Sequence, residues 1–322
     1  MLHISHFVPI PGSLANRRHL GQALLPECCR TVAAQRPLAW HDSLVHALTH
    51  RTNRRSALRL AAAGAGAAGL WALGALPDAT RAAPAPLTSP LPTREEGSFI
   101  SAARGGKSTR WIIARPPGQT GPLRTVIALH GLDSDAAAVM SLGVEDALAK
   151  LAATGKSSIA VVSVDGGNGY WRPRASGEDS GAMVLNELIP MLAGKGLDTS
   201  QVALMGWSMG GYGAMRLATR LGAGRTFAIC AISPALYLTY WGAPQDAFDG
   251  LDDFRKNSTV NAAELTSIPL RVDCGTGDGF YIATREFVNR LPRQPAGGFQ
   301  PGGHDAEYWR GQLPGELAWL TS

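Results

Sequence analysis

From residue 97 onward, short apolar runs alternate with amphipathic ones, and this alternation constrains the fold more than any other feature. TVIALHG (125–131), SIAVVSVDGG (158–167), QVALMGW (201–207), TFAICAIS (226–233) and LRVDCG (270–275) are short apolar runs that read as buried strands. Between them, residues 144–153, 181–193, 210–222, 281–291 and 309–320 read as helices. In 181–193 the helical spacing is carried by Met183, Leu185, Leu188, Met191 and Leu192. GSFISAA (97–103) and TRWIIARPP (109–117) read as an opening antiparallel pair. Strands alternating with helices predict an α/β fold, with a mostly parallel central sheet and helices on both faces. Right-handed crossovers then collect the C-terminal strand ends along one edge, where ligands bind. Residues 234–268, rich in Asp, aromatic and polar residues, interrupt the alternation and read as a short cap insertion.

The chain has 322 residues, 45% hydrophobic and 17% charged, enough for a large core. Its net charge of +5 invites a phosphate-binding reading that the charge distribution removes. Residues 1–83 hold nine Arg and three acidic residues, whereas residues 84–322 hold 21 Lys+Arg against 22 Asp+Glu. The body is nearly neutral and carries no basic stripe, so no nucleic-acid partner is expected.

The N-terminal charge has its own explanation. Arg54-Arg55 precede a mildly apolar, Ala- and Gly-rich run, Leu60 to Leu76, followed by Arg81 and the small residues Ala82-Ala83-Pro84-Ala85. This is the layout of a secretory signal. The twin arginine makes the twin-arginine export machinery the expected partner and an exported location the expected destination. An uncleaved membrane anchor is the alternative, although the run falls short of the ~20 apolar residues of a comfortable span. The signal proper occupies 45–83; residues 1–44, with Cys28-Cys29 and no periodicity, read as an extension, with initiation expected near Val45. Residues 84–96 are a Pro-rich linker, and 97–322 the catalytic domain. In that domain Cys230 and Cys274 sit in apolar runs, either as one disulfide or as two buried thiols. Two Cys and two His in no ligand-like cluster call for no metal.

The chemistry concentrates at Gly206–Gly210, a G-x-S-x-G between the strand VALMGW and the helix GGYGAMRLA. In that context the motif is a nucleophile elbow: Ser208 on a strained turn, flanked by glycines that remove a side-chain clash. The helix N-terminus behind it aims N–H groups at the site. A serine nucleophile needs a base, and the body offers only His130 and His304. His130, in ALHGLDS, ends a strand and reads as a turn-shaping residue; His304, in FQPGGHDAEYW, sits in a Gly-rich loop able to reach the serine. The orienting carboxylate falls between them in the order Ser…Asp…His. Asp278 in VDCGTGDGF is preferred and Asp273 is the alternative, with Asp246, Asp249, Asp252 and Asp253 of the cap read as solvated. Backbone N–H groups of Leu132 and Met209 are the expected oxyanion donors.

Together, GWSMGGYGAMRLA, LHGLDSD, DGGNGYWRPR, DCGTGDGF and GGHDAEYWR resemble the esterase D-like branch of α/β-hydrolases. That branch includes S-formylglutathione hydrolases, feruloyl-type esterases and secreted mycolyltransferases. The resemblance covers about residues 97–322. It implies an α/β-hydrolase fold, a Ser208–Asp278–His304 triad, and Leu132 and Met209 at the oxyanion. Tyr170, Trp171, Tyr237 and Trp241 are candidates for a substrate pocket, as are Tyr240 and Trp309, while Glu187 reads as a packing or capping residue. The expected function is an exported serine esterase without cofactor, acting on a small-molecule, lipid or carbohydrate ester. Its rivals are an acyltransferase with a sugar or lipid hydroxyl as acceptor and a non-catalytic binding protein.

Overall fold

The computed structural model describes residues 91–156, 159–258 and 263–322. The N-terminal extension, the signal and the first part of the linker lie outside the described residues. Among the described residues no helix is long and apolar enough to cross a membrane.

Eight strands form one sheet in the order β1-β2-β4-β3-β5-β6-β7-β8. β1 (Arg94–Ser101) and β2 (Lys107–Ala114) form an antiparallel hairpin, and β2 is also antiparallel to β4 (Ile159–Val164). From β4 the sheet continues in parallel through β3 (Leu123–Leu129), β5 (Leu197–Trp207), β6 (Thr226–Ile232), β7 (Leu270–Gly275) and β8 (Ala296–Gln300). Every residue of β4 is buried, as expected for a strand covered on both faces. The period of two divides the core. Ile127 and Leu129 of β3 join Val162, Leu204 and Ile229 on one face, and Val126 and Ala128 join Val161, Ala203 and Cys230 on the other.

The first face is covered by one helical segment and by α5 (Met209–Leu221) and α7 (Tyr281–Arg290). The segment runs through α3 (Ser180–Ala182), a π-helical turn (Met183–Leu188) and α4 (Ile189–Ala193). Glu187, in the π-helical turn, accepts from Ser101 Oγ at 2.5 Å and the Ala103 amide at 2.8 Å, pinning the β1–β2 turn. The second face is covered by α1 (Ala136–Met140), α2 (Val144–Ala153) and α8 (Ala306–Leu320). Beneath it Cys230, Asp273 and Glu316 place one ligand atom each within 4.8 Å of the others, all buried. Arg271 holds Asp273 at 2.6 Å, and both Glu316 carboxyl oxygens lack a hydrogen-bond partner. Cys230 and Cys274 are buried free thiols.

Three elements depart from the sequence reading. β8 reads AGGFQ, and its glycines hid it; Gly297 is at φ +89°, where an added Cβ would stand 2.4 Å from the Val272 carbonyl. α1 is too short to show a period. The segment between β6 and β7 holds 3₁₀ turns at Tyr240–Gly242 and Ala263–Ser267 and a helix, α6 (Leu251–Asn257). Nor are its acids all solvated. Fully buried Arg172 pairs with Asp253 at 2.7 Å and donates to the Ala247 carbonyl, while Arg174 pairs with Asp249 at 2.8 Å. A buried guanidinium needs such partners, and here they clamp the cap to the loop after β4.

Candidate active site

β5 ends at Trp207 and α5 begins at Met209, so the turn between them is the single residue Ser208, at φ +56° and ψ −119°. The flanking glycines permit it. A Cβ on Gly206 would lie 2.5 Å from Gly210 backbone atoms, and one on Gly210 would lie 2.0 Å from the Leu129 carbonyl oxygen. The Ser208 amide donates to Ile232 O at 3.0 Å, and its carbonyl accepts from Tyr212 N and Ala235 N. The hydroxyl therefore stands on a turn fixed by its own backbone bonds.

His304 Nε2 lies 2.9 Å from Ser208 Oγ, and His304 Nδ1 lies 2.8 Å from Asp278 Oδ2. The second oxygen of Asp278 accepts the Phe280 amide at 2.8 Å. Burial pushes the Asp278 carboxyl upward, but the hydrogen bonds from His304 and the Phe280 amide help to outweigh it, and the net shift is below the ordinary carboxylate value. Asp273, the alternative partner, does not reach His304. It sits inside β7, where alternation turns its side chain to Arg271 and away from the Asp278 side. The loops carrying His304 and Asp278 rest on each other: Thr276 N donates to Gln300 O and Gly277 N to Gly302 O. Glycine makes the approach possible, since a Cβ on Gly275 would meet the Gly302 oxygen at 2.3 Å. Two rings bracket the imidazole, Phe280 and Trp309, each with its centroid 5.1 Å away.

The loop after β3 runs alongside, with the Cβ position of Gly131 3.5 Å from Ser208 Cβ. The next amide is that of Leu132. Met209 opens α5, where the first-turn N–H groups have no intrahelical acceptor. Among the described residues neither the Leu132 nor the Met209 N–H donates to a protein group. His130 is fully enclosed; its Nε2 accepts the Gly166 amide, and its ring meets Trp171 edge-on with centroids 5.0 Å apart.

Of the six candidate pocket aromatics, Trp171 is not a wall of an open cleft. It is fully buried, and Gly166 and Gly213 are glycine where a Cβ would strike its indole at 2.3 and 2.4 Å. Tyr170 and Tyr237 share a hydroxyl–hydroxyl hydrogen bond at 3.1 Å, and Tyr237 meets Phe280 edge-on, linking the pair to the His304 side. Trp241 is 85% exposed on the cap surface. Among the described residues the non-glycine positive-φ positions are Asp133, Tyr170, Trp171, Ser208 and Ser233. They fall in the loops that follow β3, β4, β5 and β6, so the backbone strain gathers at one edge of the sheet, as it does at functional sites. Sequence reasoning missed Ser233, for which SPAL after a strand gives no chemical signal.

A family model described as "Putative esterase" matches residues 103–320. A search of curated protein sequences finds no match. Among solved structures, a ferulic acid esterase is similar at TM-score 0.62 and 21% identity, covering 71% of this chain and 97% of that one. An S-formylglutathione hydrolase from Agrobacterium tumefaciens is similar at TM-score 0.61 and 18% identity, covering 74% and 99%. MPT51 (FbpC1) of Mycobacterium tuberculosis is similar at TM-score 0.57 and 20% identity, covering 72% and 98%. At these identities the likenesses are of fold alone. With the family match running from the β1–β2 turn to the end of α8, and so covering β2 to β8, the chain belongs to the Esterase family, a carboxylic ester hydrolase on the α/β-hydrolase fold.

Proposed function

We propose that the protein is an exported serine esterase working through an acyl-enzyme. The observation that carries this reading is the unbroken hydrogen-bond path Ser208 Oγ–His304–Asp278. Ser208 Oγ attacks the ester carbonyl as its proton passes to His304 Nε2. Nδ1–H of the resulting imidazolium donates to ionised Asp278, which fixes the tautomer and stabilises the charge. The carbonyl oxygen, now anionic, takes the unengaged N–H groups of Leu132 and Met209; one such donor contributes about 10²–10³ in rate. His304 then gives its proton to the leaving alkoxide. Water, deprotonated by His304, attacks the acyl-enzyme, and the acid leaves as Ser208 recovers its proton. The proposed steps draw on no cofactor. The Tyr170–Tyr237 pair and Phe280 are the proposed wall for the substrate, with Trp241 at its outer rim. Export rests on Arg54-Arg55 and the apolar run behind them.

A fluorophosphonate probe tests the mechanism. It labels the wild type, labelling disappears in Ser208→Ala, and the wild type hydrolyses p-nitrophenyl esters across a chain-length panel. Labelling that survives Ser208→Ala overturns the nucleophile. Product analysis in the presence of an added sugar or lipid alcohol tests the acceptor, and transfer that outcompetes hydrolysis overturns the hydrolase reading.

A further inference from the structure

The proposed chemistry needs the Leu132 N–H within about 2.7–3.1 Å of the place where the oxyanion forms. Leu132 is 40% exposed and follows a glycine, so its own side chain does little to fix that amide. The residues on either side of it do more. Gly131 packs against the elbow, its Cβ position 3.5 Å from the Trp207 carbonyl oxygen as well as from Ser208 Cβ. Asp133 follows at φ +52°, and it is held by a reciprocal pair of hydrogen bonds. Its amide donates to Asn168 Oδ1 at 2.9 Å, and Asn168 Nδ2 donates to Asp133 Oδ1 at 2.6 Å. The two bonds fix which way the Asn168 amide points, since a flipped amide would set N–H against N–H and oxygen against oxygen. Asp tolerates positive φ better than most non-glycine residues, so little strain opposes the pair.

Neighbours of Asn168 in the loop after β4 extend the contact. Gly166 holds His130, and Asp165 Oδ1 accepts the Ala136 amide at 2.8 Å. That loop is anchored in turn: buried Arg104, in the β1–β2 turn, donates through Nη1 to the Asp165 carbonyl at 2.7 Å and pairs with Glu178 at 3.0 Å. The stretch from His130 to Ala136 therefore lies against a template that is itself fixed. We propose that Asn168 is a positioning residue for the oxyanion hole. It takes the second of two successive amides, that of Asp133, and so leaves the first, that of Leu132, for the reacting carbonyl. It also engages the Asp133 carboxyl, which if released would be an anion beside the hole, opposing the charge that forms there. The proposal rests on the Ser208–His304–Asp278 reading, and it gives DGGNGYW a part in the reaction that the triad does not use.

The test compares Asn168→Ala, Asp133→Gly, the double variant and Asp133→Asn. Asp133→Gly keeps the φ and removes the carboxyl; Asp133→Asn keeps an acceptor oxygen for Asn168 Nδ2. Both residues are exposed, so the variants fold, with Tm within about 2 °C of the wild type. Asn168→Ala is expected to lower kcat on p-nitrophenyl esters about 10- to 100-fold with KM within about twofold. A trifluoromethyl ketone reads the hole directly, because its carbonyl oxygen becomes anionic when Ser208 Oγ adds to the carbon and the proton passes to His304. Its Ki rises by the same factor as kcat falls. Asp133→Gly loses less, the double variant is no slower than Asn168→Ala, and Asp133→Asn recovers most of what Asp133→Gly loses. Wild-type kcat and Ki in Asn168→Ala overturn the proposal. So does a raised KM at unchanged kcat, which makes Asn168 a substrate contact, and so does a double variant whose loss is the product of the two single losses. Failure of the wild type to take fluorophosphonate fells the triad reading first, whereas a labelled wild type with unchanged Asn168→Ala kinetics removes this proposal alone. If Asn168→Ala does not fold, Asp133→Gly and the same ketone decide the question, a wild-type Ki overturning it.

Discussion

The Gly166 amide donates to His130 Nε2 at 2.9 Å, tying the loop after β4 to the loop after β3 through one buried imidazole. Because Nε2 accepts, the proton sits on Nδ1, which is 2.7 Å from the Gly131 carbonyl. Burial holds this imidazole below its ordinary value of 6.5, so it stays neutral.

His130→Ala removes that tie and leaves the Gly166 N–H buried without a partner, beside a void next to Trp171. The expected cost is about 2–4 kcal/mol by denaturant unfolding. Neutral His130 contributes stability that is present above the unfolded value near 6.5 and lost as pH falls below it. The variant therefore shows a flatter stability–pH curve on the acid side of 6.5 than the wild type. Ser208 remains labelled by fluorophosphonate, which separates this role from that of His304.

Asp278→Asn leaves the geometry and removes the charge. If Asp278 orients the base, kcat falls by about 10⁴. Stability follows a different pH window from that of His130. The Asp278 carboxyl is held below its ordinary 3.8, so its contribution is present above that value and lost as pH falls through the folded one. Between about pH 5 and about pH 2 the stability of the wild type falls more steeply than that of Asp278→Asn.

Gly210→Ala drives a methyl group into the Leu129 carbonyl oxygen, 2.0 Å from the new Cβ. Backbone cannot yield there without parting β3 from α5. A loss of about 4 kcal/mol or more, seen as insoluble protein or a collapsed Tm, is expected. Gly105→Ala is the control: at φ +67° and with nothing within 4 Å of its Cβ position, it costs about 1 kcal/mol.

Glu316→Gln tests the buried cluster beneath β6 and β7. Burial raises the Glu316 carboxyl well above 4.5, and neighbouring Asp273 adds to the shift, so the folded protein holds it protonated. The unfolded chain ionises it above 4.5, and folding then grows less favourable as pH rises. Gln cannot ionise. Tm of the variant is expected to exceed the wild-type value at pH 8 by about 2–4 °C and to converge with it near pH 5. A lower Tm at pH 8 contradicts the assignment.

Strand and helix positions were legible because their apolar periods are strong: the expected helix at 144–153 is α2, and the expected strand at 270–275 is β7. Ser208, Asp278 and His304 were legible because motif, order and the scarcity of histidine leave few choices. What escaped has no local code. β8 carries a glycine pair in place of β-branched residues, and its pairing with β7 is a tertiary fact. Trp171 reads as a loop aromatic until the glycines that receive it, 5 residues before and 42 after, are brought to its faces. Ser233 owes its place to a strained backbone angle and to a tryptophan 76 residues away.

The backbone bonds between the loops after β7 and β8 carry a consequence for inheritance. His304 and Asp278 travel as one module, mounted on two neighbouring strands and sealed by glycines, while Ser208 sits on its own elbow two strands off. Sequence drift in the cap or in the β4 loop can change which ester is admitted without altering the distance between His304 and Asp278. Selection can then work on the two halves separately, keeping the His304–Asp278 pairing constant while the surface around it changes.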